Sequence, residues 1–92
     1  MTDIEVTATP DSDGWTASVV VTDPDGASSR HEVTVTRAVL DRLAPGADDP
    51  VDLVRRSFEF LLEREPKESI LRSFELPEIG RYFPDYERGI AG

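Results

Sequence analysis

Cysteine is absent from this chain, and histidine, methionine, tryptophan and lysine each occur once. Without thiols there are no disulfides, zinc-thiolate sites, iron–sulfur clusters or cysteine nucleophiles, a composition compatible with a reducing compartment. A single histidine, His31, leaves no second imidazole for a metal site or a proton relay. No apolar run approaches the length of a bilayer span, and the opening MTDIEVTATP has neither the basic nor the apolar part of a secretory leader. The expectation is therefore a soluble cytoplasmic protein with no membrane contact. Positive charge is also scarce: nineteen acidic side chains stand against ten basic ones, a formal net charge of −9. Nucleic acid is not the expected partner, because a phosphate-binding surface must concentrate cations. Finally, 92 residues supply one core without a deep substrate cavity as well, and no Gly-rich phosphate loop occurs. An enzyme is not expected, and no catalytic, cofactor or metal-binding residues are assigned.

What is present divides the chain in two. Residues 1–49 carry ten Asp/Glu and three Arg, whereas residues 50–92 carry nine Asp/Glu and seven Arg/Lys, so any anion-binding surface belongs to the second half. In the first half Ile4, Val6 and Ala8 alternate with polar residues, as do Trp15, Ala17, Val19 and Val21, and then His31, Val33 and Val35. That period of two predicts three strands with one buried face. Asp23-Pro24-Asp25-Gly26 fits a type I turn with Gly26 in the left-handed region, pairing Val19 with His31, Ala17 with Val33 and Trp15 with Val35. A four-residue loop, Asp11-Ser12-Asp13-Gly14, pairs Pro10 with Trp15, Ala8 with Ala17, Val6 with Val19 and Ile4 with Val21. Both registers put the apolar sets on one face, so residues 1–36 are read as an antiparallel three-stranded meander. The strands at its two edges, the first and third, are each open to a partner strand, against which Asp3, Glu5, Arg30 and Glu32 are placed as deterrents.

The second half reads as a helical layer over 37–86. Thr36 caps a short helix over 37–43, and Asp49 caps the main one, with Pro50 at its first position. On a helical wheel Val51, Val54, Phe58, Leu61 and Leu62 form one arc for the sheet, while Leu53 and Phe60 point elsewhere and need a second cover. Pro66 predicts a second helix with Ile70, Leu71 and Phe74 as its apolar side, and Leu76-Pro77 a third, carrying Ile79, Tyr82 and Phe83. The tail 87–92 is expected to fray. The whole of 1–92 is thus expected to be one α+β domain: a three-stranded antiparallel β-meander followed by one long and two to three short helices on one face.

The segment LLEREPKESILRSFELPEIGRYFPDYE, about a third of the chain, resembles the C-terminal signature of a small uncharacterised prokaryotic protein family. The resemblance implies kinship and carries over no catalytic residues.

Four groups invite a functional reading. The two Asp-x-Asp-Gly turns resemble the start of calcium loops, but Trp15 and Thr22 stand where that motif needs oxygen ligands. The Glu63–Glu68 run of carboxylates and cations has no histidine or phosphate loop beside it in sequence, and reads as a solvated helix junction. Residues 67–83 could form a helix-turn-helix using Arg72, Arg81 and Arg88, although Glu75 and Glu78 oppose a nucleic-acid field. The aromatic ending is the strongest: Leu53, Phe60, Tyr82, Phe83 and Tyr86, rimmed by Arg81 and Arg88, form a candidate interaction surface. The leading expectation is a non-enzymatic protein-interaction or regulatory module, including self-association through the helical layer. The alternative is a DNA-binding or antitoxin-like regulator using 67–83.

Overall fold

The computed structural model describes residues 2–91. Three strands, β1 (Asp3–Pro10), β2 (Gly14–Thr22) and β3 (Ser28–Thr36), form the expected antiparallel meander. Its registers are those the turn chemistry predicts, with Val6 opposite Val19 and Ala17 opposite Val33. Gly26 adopts φ 92° in the β2–β3 turn, where Asp23 N donates to Ala27 O at 2.8 Å. At Gly14 the reason for glycine is proximity, since a Cβ there would lie 2.2 Å from the Val35 carbonyl oxygen. The Asp-Gly loops are occupied by their own turns. Asp11 Oδ1 accepts from Asp13 N and Gly14 N, its Oδ2 accepts from Thr16, and Asp25 accepts from Ala27 N.

Helix α1 (Arg37–Leu43) starts as predicted, Thr36 Oγ1 accepting from Val39 N at 3.2 Å. Helix α2 (Val51–Leu62) starts one residue later than expected, because Pro50 sits at φ −90° and ψ 7° as the cap residue. Asp49 nevertheless accepts from Val51 N at 2.9 Å, satisfying a free helix donor. The apolar face of the sheet and α2 share one core containing Ala17, Val19, Val21, Val33, Val35, Val54 and Phe58.

Two expectations are corrected. The predicted helix after Pro66 is a single 3₁₀ turn, Lys67–Ser69, followed by a fourth strand, β4 (Ser73–Glu75), parallel to β3. The sheet is therefore mixed and four-stranded, ordered β1-β2-β3-β4, and the domain is α+β as expected. Within residues 73–76 the pattern Ser-Phe-Glu-Leu alternates, with Phe74 and Leu76 buried and Ser73 and Glu75 exposed, so the strand period was present beneath a helix-like spacing of Ile70, Leu71 and Phe74. A further short turn, Leu76–Glu78, leads into α3 (Ile79–Tyr82).

The second correction is the tail, whose described part is a helix, α4 (Tyr86–Ala91), that buries Ile90. It supplies part of the second cover α2 requires: Tyr86 packs edge-on against Phe60, with centroids 5.3 Å apart. Arg56 also donates to the Ile90 carbonyl at 3.0 Å. Among the described residues no helix is long and apolar enough to cross a membrane.

Phe58 is fully buried, its ring facing His31 and Phe74 at centroid distances of 5.2 and 6.1 Å. Truncating it should cost about 3–5 kcal/mol out of a total of roughly 5–14 kcal/mol for a chain of this length. The Phe58→Ala variant is expected to be marginal or unfolded in urea titrations. A midpoint shift worth less than about 1 kcal/mol would show that the core does not depend on it.

Candidate protein-interaction groove

The chain between α2 and α3 is laid along β3 by three polar attachments. Pro66 is extended, at φ −70° and ψ 158°, and the following turn buries Lys67. Its ammonium donates to Asp23 in the β2–β3 turn and to Glu68, and those two carboxylates hold its pKa well above the ordinary lysine value. His31 lies on the core side of β3 with one ring nitrogen, Nδ1, 2.8 Å from the Leu71 carbonyl. A carbonyl only accepts, so Nδ1 carries a proton and donates it, while Nε2 lies within hydrogen-bond distance of the Ser29 hydroxyl, at 2.8 Å from Oγ. The third attachment is Glu32 N donating to Arg72 O at 2.7 Å, the first rung of the parallel pairing that sets Val33 opposite Phe74.

This seating leaves an open groove of about 380 Å³ between the end of α2, the β4 segment and α3. Leu61, Ile70, Phe74 and Ile79 supply buried apolar lining, while Leu71, Tyr82 and Phe83 stand closer to solvent. Phe83 is held by its edge-on contact with Phe60 at 6.0 Å and by its N–H, which donates to Ile79 O at 2.9 Å. The charged lining is wholly acidic, Glu65 and Glu78. Glu78 also accepts from Glu75 N at 2.8 Å, in a capping box that fixes the entry to α3.

The residues assigned from sequence to the interaction surface separate. Tyr82 and Phe83 line the groove. Leu53 and Phe60 are buried within the same chain, and Tyr86 is fully buried, so these three are core rather than surface. Arg81 and Arg88 are exposed and lie outside the groove lining. Ile70, Leu71, Phe74 and Ile79 were read from sequence only as helix faces, and their convergence with Leu61 requires the fourth strand. The helix-turn-helix reading of 67–83 needs two helices, and β4 occupies the middle of that segment.

The charged run 63–68 is likewise divided among separate tasks. Arg64 lies 3.6 Å from the centroid of the Phe60 ring, donates to Phe60 O at 3.0 Å and pairs with Asp85 at 3.2 Å. Lys67 pairs across to Asp23, and Glu65 turns to the groove. A second cleft, beside His31, is polar and includes Ser28, Arg30, Lys67, Glu68 and Arg72. Among the described residues no three His, Asp or Glu side chains converge as metal ligands.

The floor beneath Phe60 is pinned by a buried hydroxyl pair, Ser57 Oγ and Tyr86 Oη, 2.6 Å apart. Ser57 has one proton and donates it to Leu53 O at 2.8 Å, so Tyr86 is the donor to Ser57. Burial pushes the Tyr86 phenol up to about 12. Tyr86→Phe should cost about 0.5–1.5 kcal/mol near pH 8, one hydrogen bond. Because the folded state holds this proton above the unfolded pKa, the wild-type chain loses stability as pH rises from 10 to about 12, on the order of 2–3 kcal/mol when complete. The variant lacks that loss. Urea midpoints measured at roughly pH 8 and pH 11 should therefore show the gap between the two proteins narrowing, and a constant gap would refute the coupling.

No family model matches this chain, and no curated protein or solved structure matches it either.

Proposed function

We propose that the chain is a non-enzymatic, cytoplasmic protein-interaction module whose binding element is the groove beside α3. One observation carries the reading. Leu71 and Tyr82, at 49% and 67% exposure, are the large hydrophobic side chains left exposed among the described residues, and both line this groove. Apolar side chains gathered around a concave surface are a feature of interaction sites, whereas singly scattered ones are not. The groove's volume suits one or two large side chains, so the contact is expected to be small and reversible.

Electrostatics select the occupant. With Glu65 and Glu78 as the charged lining on a protein of net charge −9, the complementary ligand is a segment of another protein with an apolar or aromatic anchor flanked by Arg or Lys. The anchor fills the space between Leu71 and Tyr82, and the cation pairs with a rim carboxylate. A regulatory role follows if that segment is functional elsewhere in its own protein and is masked when bound.

Selection of random displayed peptides on the immobilised full chain tests this directly. Enriched peptides should carry a large apolar residue within two positions of Arg or Lys. Their affinity should fall by about tenfold or more for Tyr82→Ala and for Leu71→Ala, and should weaken as salt is raised. Enrichment of acidic peptides, no enrichment, or binding indifferent to both substitutions would overturn the proposal.

A further inference from the structure

The sheet ends in two edge strands of very different length, β4 with three residues and β1 with eight, and the longer one offers the longer row of backbone groups to a partner strand. The middle of the outer β3 edge is occupied by the 72–75 segment, whereas β1 ends the sheet with eight residues and no neighbour beyond it among the described residues.

The backbone groups that β1 presents outward follow from the ladder. Asp11 N donates to Gly14 O at 2.8 Å, which makes that pair a bonded one, so Pro10 opposite Trp15 is an unbonded pair, as a residue without an N–H must be. Alternation then directs Thr9, Thr7, Glu5 and Asp3 toward β2 and leaves the N–H and C=O of Ile4, Val6 and Ala8 pointing away. The next hairpin and the β4 pairing give the same phase: Asp23 N bonds to Ala27 O, and Glu32 N, turned away from β2, bonds to Arg72 O. Ile4, Val6 and Ala8 are also only half-buried, although their side chains face the core.

We propose that β1 is a self-association edge, on which the β1 strand of a second copy of this chain pairs antiparallel about a two-fold axis through Val6. The occupant follows from the strand's own sequence. A two-fold axis normal to an antiparallel pair passes through either a bonded or an unbonded residue pair, so the centres to compare run from Ile4 to Ala8. Centring on Glu5 sets that carboxylate against itself, and centring on Thr7 sets Ile4 against Pro10, which has no N–H, and Asp3 against Asp11. Centring on Ile4 sets Asp3 against Glu5, like charges directly opposed. Centring on Ala8 sets Val6 against Pro10, which has no N–H to give. Centring on Val6 sets Val6 against itself and Ile4 against Ala8 on the core face, with Glu5 against Thr7 and Asp3 against Thr9 on the polar face. All outward groups of Ile4, Val6 and Ala8 are then paired, and each carboxylate has a hydroxyl opposite. The residual opposition is diagonal, Glu5 to the Glu5 of the second copy at roughly 7–8 Å, a repulsion that salt screens. This inference is independent of the groove, which lies at the β4 side.

Sedimentation of the full chain from about 10 µM to about 1 mM reads the result, because a single added strand pair makes a small and weak interface. A monomer–dimer equilibrium is expected, tightening as salt is added. Thr7 is exposed, so its substitutions leave the fold intact, which circular dichroism verifies. Thr7→Asp, placing a second carboxylate against Glu5 twice per dimer, should weaken association by between about twofold and thirtyfold, and Thr7→Lys should strengthen it over a similar range. Tyr82→Ala should leave the equilibrium unchanged. A monomer throughout, a dimer indifferent to the charge at residue 7, or one abolished by Tyr82→Ala would each overturn the proposal. Because these outcomes do not involve peptide binding, they are read separately from the function of the groove.

Discussion

The attachment of residues 71–75 to the outer edge of β3 organises the β4 side of the molecule. It consists of a short run of parallel pairing, Glu32 N to Arg72 O at 2.7 Å and Val33 opposite Phe74, reinforced by His31 Nδ1 on the Leu71 carbonyl. Neither part is large: a net hydrogen bond is worth about 0.5–1.5 kcal/mol. Their effect lies in placement. With Leu71 O held by His31, Ile70 and Phe74 turn inward beside Leu61, while Leu71 stays out, and a concave apolar surface forms. The same pairing occupies the middle of the β3 edge with a three-residue strand, so that β1 is the longer of the two strands that end the sheet.

Several residues with a suggestive look in the sequence turn out to serve that placement. The one histidine is a strand-to-strand fastener with both ring nitrogens engaged. The one lysine is buried between Asp23 and Glu68, joining the β2–β3 turn to the segment after α2. Burying a cation is costly unless it is paired and hydrogen-bonded, and the two carboxylates meet that need. Arg64 similarly covers the Phe60 ring and reaches Asp85 just before α4. Charge in the junction between helices therefore positions the elements around the groove, whose own charged lining is Glu65 and Glu78, the latter also accepting from Glu75 N.

Much of the fold was legible because the relevant signals are local. Alternation over β1, β2 and β3 needs only neighbours in sequence, and two short turns fix register without reference to the rest of the chain. The start of α1 at Thr36 and the sheet-facing arc of α2 are local in the same sense. The 70–76 segment was misread because a strand of three residues carries less periodicity than one turn of helix, so Ile70, Leu71 and Phe74 fit both patterns. Residues 87–91 were misread because ERGIA has little to recommend it as a helix until Ile90 and Tyr86 meet α2. Of the seven residues first assigned to the interaction surface, Tyr82 and Phe83 line the groove, for an aromatic pair in sequence does not say which ring faces inward.

By itself the sequence determined the antiparallel meander, its register, the α1 and α2 helices and the excess of apolar surface on α2, since each follows from spacing along the chain. Where that excess went was decided only in the folded state. Tertiary packing sent Leu53, Phe60 and Tyr86 into the core, drew α4 over Phe60, and spent the second half's ambiguous apolar residues on a fourth strand and a groove. The physical reason is that a side chain's periodicity specifies a face, while burial depends on which distant segment arrives to cover it.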